Sequence, residues 1–376
     1  MTYSVHVQDF QAFSCTSCGR CCKPWEVAIE AAQREAIEAS REYQARVREN
    51  YQPLVVERPG VASLGDRGDD ACTFLDPDNL CRLHAEIGGR LKPLGCQLYP
   101  YQAVQTPAGM YVYLSYACPP VVAGLDRDAA SNRQDLDQAL GRYAAPLPDS
   151  EDDPYRVELH GERELSWESY LQLEGRLLEA YQRERPWDSL LEIALWLLGQ
   201  PSFEEPWPPI PLGRIDLEFP RELFTSYLAA LIGTLEPFVQ DGPGALLVRA
   251  VEEGRPVRLE RLGLDLPPLS LAPPVQPWLL DLLERYFRDA VLGKSILKSS
   301  VISRLLCLAC AMALTMHFAE AYRLQRGLEE IGLEEVTDAF RLVESDLTTH
   351  STVTAGYYDE LADTFARLAT FSEEIA

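Results

Sequence analysis

Hydrophobic positions recur with helical period through most of the second half of the chain, over residues 167–184, 190–198, 222–232, 278–292, 296–324, 333–343 and 357–371. Each stretch predicts a helix. Ser189 with Glu192 predicts a capping box ahead of "LLEIALWLLGQP", whose Gly-Gln-Pro end supplies the stop. Two proline-rich joints, 201–213 and 266–278, divide these blocks. The polar, acidic, helix-breaking segment 144–154 separates them from what precedes and predicts a domain boundary.

The first part is patterned differently. Residues 31–49 predict an exposed amphipathic helix, but the segments that follow are short apolar runs around turns. In "CTFLDPDNLCRL" the Asp-Pro-Asp-Asn turn predicts a hairpin pairing Leu75 with Leu80, which sets Cys72 opposite Leu83 and on the same face as Cys81. A second hairpin is predicted from "YQAVQ", the turn "TPAG" and "MYVYLS", with Gln105 paired to Met110. Extended outward past Pro100, it brings Cys96 and Cys118 to within one residue of opposite each other. The expected architecture is α+β: a small cysteine-rich metal-binding domain with short hairpins, residues 1–145, followed by a mainly α-helical domain, residues 155–376.

Composition narrows the partners. Among 376 residues, 58 are acidic and 34 basic, a formal charge of −24. Such a surface repels phosphate backbones, so neither nucleic acid nor an anionic membrane is expected as main partner, and a lysine-bearing protein is favoured. The opening "MTYSVHVQDF" has no basic and apolar leader, which predicts a cytoplasmic location. The apolar run "VISRLLCLACAMALTM" carries Arg304 and reads as a buried helix, with Cys307 and Cys310 as core residues and His317 as structural.

The chemistry lies in the cysteines. Eight of ten fall in the first 118 residues: Cys15, Cys18, Cys21, Cys22, Cys72, Cys81, Cys96 and Cys118. In a reducing compartment such clustering argues for metal coordination or thiol chemistry, not for disulfides. Thiolates two residues apart can turn back on one ion or cluster, and Cys15, Cys18 and Cys21 form a C-x2-C-x2-C run. Cys118, followed by Pro119, completes the ferredoxin-like pattern as a candidate fourth ligand. Cys22 projects elsewhere and leaves a second group with Cys72, Cys81 and Cys96. Two tetrahedral sites, or one cluster with spare thiols, both satisfy the count. The soft donor set leaves zinc, iron–sulfur or copper(I). His84 offers a mixed Cys/His site but reads as a surface helix residue, and Trp25 reads equally as a shield of the cluster from water or as a core tryptophan.

The block "FSCTSCGRCC", followed by "CTFLDPDNLCRLHAEIGGRLKPLGCQLYPY", resembles the CxxCxxCC cysteine-cluster family, the YkgJ-like proteins that bind zinc or iron, which includes the flagellin lysine N-methylases. The matching positions are Cys15, Cys18, Cys21 and Cys22, then Cys72 with Phe74 and Leu75, Cys81, and Lys92, Pro93, Cys96, Tyr99 and Pro100. Cys118 in "SYACPP" resembles a later cysteine-proline of the methylase branch, whereas Lys92 and Gln97 stand where the family carries arginines. The resemblance implies a metal-binding protein holding an iron–sulfur cluster, of the four-iron type first, or zinc. It further implies a lysine N-methylase-like transferase using S-adenosylmethionine, although the chain has no glycine-rich dinucleotide loop to hold a cofactor, since "DGPGALL" has the wrong spacing. The competing expectations are a non-catalytic zinc-stabilised interaction module and a thiol redox or metal-transfer protein.

Overall fold

The structure, a computed structural model, describes residues 4–11, 14–23, 27–58, 61–68, 71–124, 129–141, 154–200, 206–237, 243–272, 274–348 and 355–373. It is α+β, with short sheets concentrated in the cysteine-rich part and long helices beyond it. The first part contains the strands β1 (Val5–His6), β2 (Ala28–Ile29), β3 (Leu54–Arg58), β4 (Val61–Leu64), β5 (Tyr101–Thr106) and β6 (Gly109–Leu114). Between and after them lie helices α1 (Ala31–Glu38), α2 (Arg41–Arg48), α3 (Arg82–Ile87), α4 (Leu94–Leu98), α5 (Pro119–Ala123) and α6 (Ala129–Leu140). The second part adds α7 (Trp167–Ala180), α8 (Pro186–Gly199), α9 (Glu218–Gly233), α10 (Pro243–Glu252), α11 (Pro277–Leu292), α12 (Val301–Arg326), α13 (Leu333–Leu342) and α14 (Ala355–Glu373). The predicted boundary segment, apart from Pro154, and Trp25 lie outside the described residues.

Two hydrophobic cores organise the molecule. The larger is continuous from Val7 to Phe365 and takes in β1, the β5–β6 hairpin, Cys118 and the long helices. Its axis is α12, whose side chains are buried from Val301 to Ala319 with the exception of Arg304. That helix is long and apolar enough to cross a membrane, but it is enclosed by its neighbours and serves as the central core helix, with Cys307 and Cys310 at 2% and 0% exposure. The smaller core comprises Ile29, Ile37, Leu54, Phe74 and Leu83, with Cys72 and Cys81 packed against it.

Local chemistry moves several predicted boundaries. Residues 31–49 form two helices because Ser40 Oγ accepts from the N–H of Tyr43 and donates to the carbonyl of Ile37, capping a new start. Helix α8 begins at Pro186, a residue pre-set for the first turn, so Ser189 lies inside the helix, its hydroxyl on the Pro186 carbonyl, and no Ser189–Glu192 capping box forms. The long pattern 296–324 breaks before Val301, where Ser300 Oγ caps Ser303 N–H. The second hairpin has the expected register, Gln105 opposite Met110, and gains β1 as a parallel neighbour. It stops at Tyr101, however, and Cys96 sits on α4, not on an extended strand. In the first predicted hairpin Leu75 bridges Cys81 instead of Leu80, and the chain turns at once into α3, so Cys72 and Cys81 come from a looped turn and a helix cap.

Candidate metal centre

Each cysteine is placed by a short-range device. The loop carrying Cys15, Cys18, Cys21 and Cys22 turns through positive φ at Ser17 (53°) and Gly19 (71°). A Cβ at Gly19 would come within 2.6 Å of Asn79 Oδ1, so only glycine allows this loop to lie against the 76–79 turn. The N–H of Cys72 donates to the carbonyl of Cys22 (2.8 Å), tying the loop to the next cysteine segment. Cys81 caps α3 and Cys118 caps α5, where Pro119 occupies the first helical position. Arg20 donates to Asp338 Oδ1 (2.6 Å) on α13, and Arg326 grips the other oxygen of that carboxylate (2.5 Å), so the helical part anchors the loop.

All eight line one cavity of about 1480 Å³, which lies at the seam between the two cores. Cys15 and Cys18 are exposed, Cys118 is buried, and the rest are intermediate. The thiols face the common space from its walls: among the described residues no group of three or more Cys, His, Asp or Glu is drawn together closely enough to hold an ion. The charges acting on Cys118 come from Cys18, Cys21 and Cys15, whereas Cys22 senses Cys21, Cys72 and Cys81, and Cys96 senses Cys72, Cys81 and Cys21. The adjacent Cys21 and Cys22 sulfurs are 3.9 Å apart.

The donor set fits a soft metal. Backbone N–H groups aim at sulfur: Ser17 donates to Cys15 Sγ and His84 to Cys81 Sγ, each at 3.4 Å. The Cys22 thiol hydrogen bond holds Cys21 below the ordinary thiol value, while the same bond and burial hold Cys22 far above it. Burial pushes Cys72 up to about 11, partly offset by the N–H of Phe74, and Cys96 up to about 12, partly offset by Lys92. Lys92 also draws down Cys21. Gln97, the other departure from the family's arginines, donates Nε2 to the carbonyl of Lys92 (2.5 Å) and shapes the segment that carries it. His84 lines the cavity, whereas His6 stacks on Tyr111 away from it.

These shifts fix a pH dependence. In the metal-free chain, folding favours the neutral Cys72 and Cys96 thiols, so their stabilisation is complete below the unfolded value of ~8.5 and is lost as pH rises toward their folded values. A metal requires thiolates, and protons compete with it as pH falls. The metal-free chain is therefore expected to lose on the order of 5 °C of Tm between pH ~8 and ~10, whereas the loaded chain holds its Tm there and loses metal on acidification. Thermal melts of both forms across that range check the opposite slopes.

Residues 14–119 match the CxxCxxCC family model, described as "Putative zinc- or iron-chelating domain", and that segment is a CxxCxxCC domain. No curated protein and no solved structure matches the chain.

The sequence did not single out the groups that fix Cys118. Glu344, in the wide turn Val343–Leu347 after α13, accepts from Ser115 Oγ (2.6 Å), Tyr116 N–H (2.9 Å) and Ala117 N–H (3.1 Å). Asp289 on α11 accepts from Leu114 N–H (2.7 Å) and Gln11 Nε2 (2.6 Å). Both carboxylates are buried, and burial raises Asp289 to about 7 and Glu344 above its ordinary range. A signal for each was present. Glu344 continues the stripe Val336, Phe340 at steps of four, and Asp289 continues Leu282, Tyr286 at helical spacing.

Proposed function

We propose that the eight cysteines hold metal as two thiolate quartets, Cys15, Cys18, Cys21 and Cys118 in one and Cys22, Cys72, Cys81 and Cys96 in the other. The observation that carries this reading is their arrival, from five separate segments, on the wall of a single cavity. A four-iron cluster is the favoured occupant of the first quartet, because C-x2-C-x2-C joined by a remote cysteine-proline is the iron–sulfur spacing; zinc is the alternative for either. A structural zinc site is closed on all sides. Here the thiols open onto a space far larger than an ion needs, which supports a working centre over a purely stabilising one.

The transferase reading, methyl transfer to a protein lysine with S-adenosylmethionine as donor, follows from the resemblance to the lysine methylases. When bound, the cluster would supply a site that anchors and activates such a donor. The chain's own residues do the remainder: Lys92 offsets thiolate charge, Tyr99 and Leu98 wall the cavity, and the acidic surface favours a lysine-bearing partner. Purification without air tests the reading. A brown protein absorbing near ~400 nm with iron and sulfide is expected; a colourless one with stoichiometric zinc overturns the methylase scheme.

A further inference from the structure

Resting on the metal reading above, we infer that the cavity also contains a subsite for a small organic anion, bound beside the thiolates with its charged end on Lys23 and Arg90. Volume is the first argument. The sulfurs that would hold a metal already belong to the cavity wall, so a bound ion takes up little of the space itself. The 1480 Å³ cavity is larger than two ions require and exceeds the range of about 300–1,000 Å³ typical of small-ligand pockets. The remaining wall is largely apolar, with Val27, Leu64, Leu80, Tyr99 and Pro120 among the residues on it.

Charge is the second. Acidic residues outnumber basic ones 58 to 34, and the arginines close in sequence to the cavity find carboxylates: Arg20 with Asp338, Arg46 with Glu49, and Arg82 with Glu42. Lys23, Arg90 and Lys92 line the cavity, and among the described residues none of the three forms a salt bridge. Asp66, the carboxylate on the wall, is turned to the N–H of Gly68 (2.5 Å). Lys92 serves the thiolates, since it acts on Cys21, Cys72 and Cys96. Lys23 and Arg90 are exposed cations left without that duty. An apolar wall rimmed by unpaired cations, on a protein otherwise strongly negative, recognises a carboxylate, sulfonate or phosphate carried on an apolar body.

The test uses the full-length chain with its metal content measured on the same samples. Two fluorescent probes of similar shape are titrated: anilinonaphthalene sulfonate, which carries the anion, and neutral phenylnaphthylamine, which does not. Saturable binding of the sulfonate is expected, weakened about tenfold in the double variant Lys23→Gln, Arg90→Gln, while the neutral probe binds both chains equally and so reports an intact apolar wall. Unchanged sulfonate affinity in the variant, equal losses for both probes, or no saturable binding by a metal-containing chain would each overturn the subsite. A metal-free chain that still shows the selective loss would overturn the metal reading instead and leave the anion site standing.

Discussion

Removing the metal should strip hydrogen-exchange protection from residues 14–98 while α7 to α14 keep theirs. The reason is the unequal size of the two cores. Five buried side chains, Ile29, Ile37, Leu54, Phe74 and Leu83, support the smaller one, and each contributes only about 1.5–3 kcal/mol by burial. Much of the segment is loop and turn, ordered by isolated bridges such as Asp66 to Cys72 and Leu75 to Cys81. A thiolate-bound metal supplies about 10–16 kcal/mol to a small domain that folds around it, as much as the whole of this core gives from hydrophobic contact. The large core, by contrast, is continuous through α12 and contains none of the thiols except Cys118, apart from the inert Cys307 and Cys310. Exchange measured by mass spectrometry on loaded and chelated protein should show the loss confined to the first segment. Equal protection in both forms would mean that the thiols do not carry the fold of that segment.

The second large effect is expected from Glu344→Ala, a substitution in the helical part that should abolish the seat of Cys118. Its carboxylate takes three hydrogen bonds from residues 115–117, all in buried or nearly buried surroundings. Each donor left without a partner costs about 1–3 kcal/mol, so a loss of roughly 3–9 kcal/mol of global stability is predicted by denaturant unfolding. Because Ala117 N–H is among those donors, the first quartet should lose metal even where the fold survives. Glu344→Gln keeps one acceptor oxygen and the shape, and should fall between the two. Full metal occupancy in a folded Glu344→Ala chain would show that Cys118 is positioned by something else.

The sequence exposed the site's ingredients more readily than its architecture. Cysteine spacing is a local signal, and the run Cys15, Cys18, Cys21 and the Cys118-Pro119 pair are visible without any knowledge of the fold. So is the β5–β6 register, because the turn fixes it and alternation carries it outward. The first hairpin was not legible, since Leu75 and Leu80 satisfy a two-residue turn on paper, yet Asp76 Oδ1 accepts from the N–H groups of Asp78 and Leu80 and shifts the pairing to Cys81. The anchoring carboxylates failed for another reason. Glu344 and Asp289 look like solvated charges to any reading that expects acids outside, although their helical phase puts them inside. Lys23 and Arg90 could not be distinguished from other surface cations before their lack of acidic neighbours was seen in space.

The most direct test is the metal-to-protein ratio of the full-length chain against the variants Cys118→Ser and Cys81→Ser. Two occupied thiolate centres predict that each substitution removes the metal of its own quartet and leaves the other's in place. A wild-type chain without bound metal, or variants that retain its full complement, would contradict the account.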